Sequence, residues 1–525
     1  MVSSGQIPWP SPGRTRDRHR AGLTTASGQN SMALDTGLNH LDKFRPAGNT
    51  RSVRRRTPQV CGYAVRVLRF IRAACLVYIL WLPVSQQQVL FPVLATLALT
   101  SVAIAASQRL HWEAPFLGVW YLLGIAVAFM LLVGSLQSTP GWTHQALVWG
   151  GGIAIWSLWG KAIRTDSIRS TLTLLTVGTL ALSTLMVLYT ASHLGILPNF
   201  IPDSITTTQG AGFLLTDEGS NIRFVSLSTL AAAGPLVISG ALFSGGDTLA
   251  PRRWLLVAAS VMALLAAGTS GRRAILVVCV LAPVVAFVAQ WFFSNRKRRI
   301  SELSSWFMIL PPVALIVAFV SGQYGLLDRA VAALRDVLSL YLGFGSGGTS
   351  KSGVSDLVRQ TQTNQLLDGW ASSPFFGSGS GAVLSSGFAR SADRPWQFEL
   401  QYLQLLFNGG LVGAIIVAAA VLFGIIAIRR AAIMFPEHRG ILIMTSTAAV
   451  SLLAANASNP YLQADAHWWG VVLVLGVVNA LVRSSASADR DGAARLEPIS
   501  TVVLKGDRET TARGESLIEG RVLDG

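Results

Sequence analysis

Long apolar runs recur through most of this chain, each able to cross about 30 Å of hydrocarbon, and they leave little room for a water-facing core. They fall near residues 65–83, 89–106, 115–134, 145–160, 170–190, 222–244, 253–268, 273–293, 305–320, 399–428, 441–456 and 467–483. At about 20 residues per span they predict an all-α polytopic membrane protein with about 12 transmembrane helices. Composition agrees: 13% of the residues are charged and the mean hydropathy is +0.49, where soluble domains carry roughly 25% charge.

The net charge of +16 does not point to nucleic acid, because the cations sit between apolar runs and in the two tails. With the N-terminus inside, the cytoplasmic loops carry Arg109; Lys161, Arg164 and Arg169; Arg252 and Arg253; Arg296, Lys297, Arg298 and Arg299; and Arg429, Arg430 and Arg439. The opposite loops near 84–88, 135–144, 191–221 and 457–466 carry no Lys or Arg. This asymmetry is the positive-inside pattern of an even number of spans with both termini cytoplasmic. The implied organisation is a disordered basic tail (1–62), nine spans within 63–320, one large late outer loop (321–398), three spans within 399–483, and a second disordered tail (484–525). Cys61, Cys75 and Cys279 lie at or inside apolar segments and form no CxxC pair. They suggest neither a disulfide framework nor a thiolate metal site.

Two outer regions break the charge rule. Arg272 and Arg273 occupy the short turn Gly268-Thr-Ser-Gly-Arg-Arg273, which has no length to excuse them. A pair of guanidiniums where a helix starts suits a diphosphate, since Arg binds phosphate oxygens bidentately and the helix end adds unpaired N–H groups. Snorkelling to lipid head groups is the alternative. The other region is the 321–398 loop with Arg329, Arg335, Lys351, Arg359, Arg390 and Arg394; a loop of that length translocates regardless of charge. The span interiors hold almost no ionisable residue, which argues against an ion-coupled transporter.

The late loop ends in Pro374-Phe-Phe-Gly-Ser-Gly-Ser-Gly381, followed by Trp396-Gln-Phe-Glu-Leu-Gln-Tyr-Leu-Gln404. No strand precedes the glycines and no helix follows as in a dinucleotide site, so Gly377, Gly379 and Gly381 read as a flexible or closely approached backbone segment. Glu399 opens the tenth helix, either as charge compensation at its N-terminus or as a general base. Gln404 neighbours both Gln401 and Asn408 by helical spacing, and these amides suit sugar hydroxyls or helix–helix contacts. His144, His193 and His467 are scattered, show no metal-ligand spacing, and leave no protein-held metal to expect. His467, in His-Trp-Trp, reads as part of an interfacial aromatic belt.

These motifs resemble the O-antigen ligase and polymerase family of bacterial surface-polysaccharide enzymes. The turn before Arg272, the Pro-x-x-Gly-x-Gly-x-Gly segment, and Tyr-Leu-Gln-x-Leu-x-x-x-Gly-x-x-Gly at 402–413 carry the likeness. The resemblance implies a fold like the C-type membrane glycosyltransferases, with the late loop periplasmic and the protein in the inner membrane. It implies a polyprenyl-diphosphate-linked oligosaccharide donor, no cofactor, no metal, and contacts with membrane lipid, a flippase and chain-length regulators. The catalytic set would be Arg272, Arg273 and Glu399. The substrate-binding set would be Arg359, Arg390, Arg394, Gln401, Tyr402, Gln404, Gly377, Gly379 and Gly381. Ligases carry His-Asn before Tyr-Leu-Gln, and Glu399-Leu400 stands there instead, which favours a polymerase over a ligase. Arg359 is the nearest counterpart of an Arg often found before Pro-x-x-Gly. A lipid-linked oligosaccharide flippase is the alternative from another class. Topology reporters check the orientation: alkaline phosphatase fused after Ser138 or Gly195 should be active, and after Arg109 or Arg253 inactive.

Overall fold

No water reaches backbone groups in hydrocarbon, so an apolar segment satisfies its N–H and C=O groups within one helix. The computed structural model describes residues 59–84, 87–216, 219–270, 272–294, 352–389 and 392–487. In chain order these form α1 (Gln59–Trp81), α2 (Gln87–Ser107), α3 (Ala114–Leu136), α4 (Trp142–Gln145), α5 (Gly152–Lys161), α6 (Thr165–His193) and α7 (Asp203–Thr208). A hairpin of β1 (Gly212–Thr216) and β2 (Gly219–Arg223) comes next, then α8 (Leu230–Phe243), α9 (Arg253–Thr269) and α10 (Arg273–Phe293). The last helices are α11 (Ser352–Ser372), α12 (Gln401–Met434), α13 (Arg439–Asn456) and α14 over 469–487.

Among the described residues, eight helices are long and apolar enough to cross a membrane, and the chain is an all-α membrane protein with one small surface hairpin. Three expected spans are not among these eight. The run at 65–83 lies in α1, which carries Arg66, Arg69 and Arg72. The run at 145–160 is split by a π-helical turn, Ala146–Gly151, that ends where Gly150, Gly151 and Gly152 make helix widening easy. The run at 253–268 is α9, only 17 residues long. The expected span at 222–244 starts late: 222–223 belong to β2, a 3₁₀ turn covers Val225–Thr229, and the α-helix begins at Leu230. The late loop is not wholly irregular, since α11 takes up 352–372. Residues 1–58 and 488–525 of the two tails, the expected span at 305–320, and 321–351 and 390–391 of the loop lie outside the described residues, whereas 59–62 and 484–487, expected in the tails, belong to α1 and α14.

The interior is built on small side chains, as helix association in lipid requires. Helix α8 is buried from Leu230 to Gly240 and is packed by α9, α10 and α13. A Cβ on Gly234 would stand 2.6 Å from Cys279 Sγ of α10, and one on Gly470 would stand 2.8 Å from Ala232 Cβ. Around and beyond the ends of α2 and α5, arginines satisfy chain carbonyls. Arg483 donates to His111 O (3.0 Å), Lys161 O (3.0 Å) and Ile163 O (2.5 Å), and Arg72 donates to Ala162 O at 3.0 Å.

The feature that positions the candidate site is a break in α12. At Gly410 the backbone turns to φ 57°, ψ −162°. The N–H groups of Leu411 and Val412 therefore leave the helix and donate to Pro374 O (2.9 Å) and Phe375 O (3.1 Å). The carbonyls released, Phe407 O and Asn408 O, accept from Ser378 N (2.8 Å) and Gly379 N (2.9 Å). Two bonds lost inside the helix are replaced by two pairs to the 373–381 strap. The strap then joins α3, with Ser380 N on Met130 O (2.9 Å), Thr139 Oγ1 on Ser380 O (2.6 Å) and Gly141 N on Gly381 O (3.1 Å). Contact is too close for any side chain. At Gly379, with φ 79°, a Cβ would lie 2.4 Å from Gly134 N. Gly379→Ala combines left-handed backbone strain with overpacking, a cost of about 2–4 kcal/mol. Its thermal unfolding midpoint in detergent, followed by tryptophan fluorescence, should fall by several degrees while Ser378→Ala stays near wild type.

Candidate functional site

The turn that the sequence singled out lies beside a cleft. Helix α9 ends at Thr269, Ser270 Oγ accepts from Arg272 N at 3.2 Å, and Arg272 caps α10. The Arg272 carbonyl takes the N–H groups of Ile275 (3.1 Å) and Leu276 (3.2 Å). The positive end of a 21-residue helix thus coincides with an exposed guanidinium. The adjoining cleft, of about 380 Å³, has Arg272, Arg223, Ser228, Asn459, Tyr461 and His467 as its polar lining.

Arg223 reaches this cleft because its hairpin is tied to the end of α1. Gln209, 1% exposed, donates to Trp81 O at 2.9 Å and accepts from Ser226 Oγ at 2.9 Å, while Thr229 Oγ1 bonds Leu80 O at 2.9 Å. Two arginines at one cleft favour an anion, and Arg suits phosphate in particular. Behind them Tyr461 and His467 are buried; the Tyr461 hydroxyl and both His467 nitrogens lack a hydrogen bond of full geometry, and the Ala464 and Tyr461 carbonyls stand near the imidazole. Arg272 stands beside the Tyr461 hydroxyl without bond geometry; burial raises that phenol above its ordinary pKa and the Arg272 charge partly offsets this. An unpaired buried polar group costs about 1–3 kcal/mol, so three unbonded atoms at one cleft mark a place for a ligand's polar groups. His467 is therefore not a member of an interfacial belt.

A second constellation forms where the late loop meets α12. Glu399 does not open that helix: Leu400 is the N-cap and Gln401 the first residue. Glu399 instead faces α11, with Arg359 Nε 3.1 Å from its Oε2, and its own N–H donates to Gln362 Oε1 at 3.3 Å. Arg359, far from Glu399 in sequence, is thus its partner in space. Gln401 Nε2 donates to Gln404 Oε1 (2.8 Å) and Phe398 O (3.0 Å), Gln463 Nε2 donates to the same Gln404 Oε1 (2.7 Å), and Gln404 Nε2 donates to Trp396 O (3.2 Å). Asn408 stays outside this network, its Oδ1 unbonded. Tyr402 bonds Leu453 O at 2.6 Å and so joins α12 to α13. His144 meets Gln397 at 3.1 Å; burial, then the nearby Arg394 charge, holds its pKa below the ordinary imidazole value.

One segment joins the two constellations. Asn456 Oδ1 accepts from Leu462 N at 2.9 Å and shapes the 3₁₀ turn Tyr461–Gln463. That turn sends Tyr461 to the cleft and Gln463 to the amide network. Arg272 lines the cleft and Glu399 does not. Arg390 and the Arg273 side chain lie outside the described residues. The N–H groups of Gly377 and Gly379 are taken by Ser373 O and Asn408 O, both at 2.9 Å, so these glycines serve the α12 break. Among the described residues, no group of three or more His, Cys, Asp or Glu could hold a metal ion. Sequence reasoning missed Arg223, Tyr461 and His467. For Arg223 a signal existed, a cation abutting the 191–221 loop, which is otherwise free of Lys and Arg.

Compared with models of known protein families and with curated proteins, the chain matches none. The Arg359–Glu399 pair, 26% and 23% exposed, should couple by about 1 kcal/mol. A double-mutant cycle with Arg359→Gln and Glu399→Gln in thermal unfolding should show the double variant losing less than the two single losses together.

Proposed function

We propose that this chain is a glycosyltransferase that polymerises polyprenyl-diphosphate-linked oligosaccharide repeat units at the periplasmic face of a bacterial inner membrane. The fold would be C-type-like, with about 12 spans by length and both termini cytoplasmic. The observation that carries the reading is Arg272 at the N-cap of α10, sharing a cleft with Arg223.

A departing diphosphate carries the negative charge that develops in glycosyl transfer. Fixed cations and helix N–H groups aimed at it stabilise the transition state without rearrangement. The donor's polyprenyl tail stays in lipid while its head group lies at the membrane face. The late loop, joined to α3 and α12 through the strap, covers part of that face and limits hydrolysis. Glu399, paired with Arg359, fixes α11 against the start of α12. The sequence resemblance adds the polymerase assignment, because Glu399-Leu400 stands where ligases carry His-Asn.

Arg272→Ala at equal protein level should collapse surface polysaccharide from a long ladder to single repeat units, read on a gel of extracted polysaccharide. A wild-type ladder from that variant would sink the mechanism. Loss of all repeat-bearing lipid acceptor, with polymer accumulating on its carrier, would mean a ligase. Purified protein that extends lipid-linked repeats in detergent would exclude a pure transporter.

A further inference from the structure

The cleft beside Arg272 contains groups that diphosphate binding does not use. His467 is 2% exposed, and its polar neighbours, the Ala464 and Tyr461 carbonyls, are acceptors that make no bond of full geometry with either ring nitrogen. The Tyr461 ring is 5.9 Å from it and crosses it at 60°, and the Tyr461 hydroxyl is buried and unbonded too. Arg272 stands beside both residues. Glu399, the base that the sequence suggested, pairs with Arg359 and does not line the cleft, and Asp465, buried with one unbonded carboxylate oxygen, does not line it either.

We propose that His467 accepts the proton of the attacking sugar hydroxyl, with Tyr461 positioning that hydroxyl; the assignment rests on the glycosyl-transfer reading. The acceptor oxygen attacks the anomeric carbon of the donor as the bond from that carbon to the diphosphate oxygen breaks. The bonding electron pair leaves with the polyprenyl diphosphate, which Arg272 and Arg223 hold. The hydroxyl proton passes to the imidazole, which later returns it to water. A neutral imidazole has the free lone pair this needs, and here no protein donor occupies it. His467 lines the cleft while the rest of its ring is buried, which limits access of water that would otherwise compete as nucleophile.

The test uses the full chain in nanodiscs, with undecaprenyl diphosphate as the binding probe. Lipid-linked repeat units extracted from the organism's own membranes serve as the transfer substrate. His467→Gln should lower turnover by about 100-fold or more while undecaprenyl diphosphate binding stays within about threefold of wild type. Added imidazole should restore part of the turnover of His467→Ala, a response that a purely structural histidine would not give. Turnover of His467→Gln within about threefold of wild type overturns the assignment and leaves the glycosyl-transfer reading standing. If His467→Gln also loses binding, imidazole decides: recovery of His467→Ala supports the assignment and its absence overturns it. Wild-type protein that binds undecaprenyl diphosphate no better than undecaprenol overturns both.

Discussion

The structure around the candidate site depends on how α12 breaks at Gly410. A helix interrupted in a membrane protein leaves two donors and two acceptors without partners, and hydrocarbon offers none. Here Pro374 O and Phe375 O take the freed N–H groups, and Ser378 N and Gly379 N supply the freed carbonyls. The exchange is one for one, so the break stays satisfied only while the strap is in place. The strap in turn holds α3 through Met130 and the turn after α3 through Thr139, which gives the next stretch of chain a fixed starting point.

The chain leaving the strap returns to α12 through Trp396 and Phe398, whose carbonyls accept from Gln404 and Gln401. Gln463 joins the same amides and so anchors the Tyr461–Gln463 turn. The other side of that turn presents Tyr461 to the cleft, where Arg272 at the N-cap of α10 and Arg223 from the hairpin converge. The polar residues of α12 act as a frame, and the cleft's chemistry comes from segments far apart in sequence. Buried amides bonded to one another rigidify such a frame because no water can replace a lost partner.

Legibility in the sequence divides along physical lines. The apolar runs at 89–106, 115–134 and 170–190 were legible, because a span is a local property of length and composition. The start of α10 was legible too, since paired arginines in a short turn conflict with the charge rule. The glycines at 377, 379 and 381 could be read as a flexible or closely approached backbone, but neither which of the two nor what approaches them, because Gly134, Asn408 and Gly141 come from other elements. Glu399 precedes the N-cap of α12 rather than opening the helix, since capping is set by backbone angles that residue types alone do not specify.

The sequence by itself determined an all-helical chain embedded in lipid and the Arg272 turn, because hydrophobic length and charge placement act residue by residue. Only the tertiary structure decided that Arg359 pairs with Glu399, that Arg223 shares a cleft with Arg272, and that His467 is buried there. Each of these depends on a meeting of distant segments, and the geometry of such a meeting is fixed by hydrogen bonds that must be satisfied within the protein. A lone histidine or a lone arginine in a loop says little in one dimension; its neighbours appear only in space.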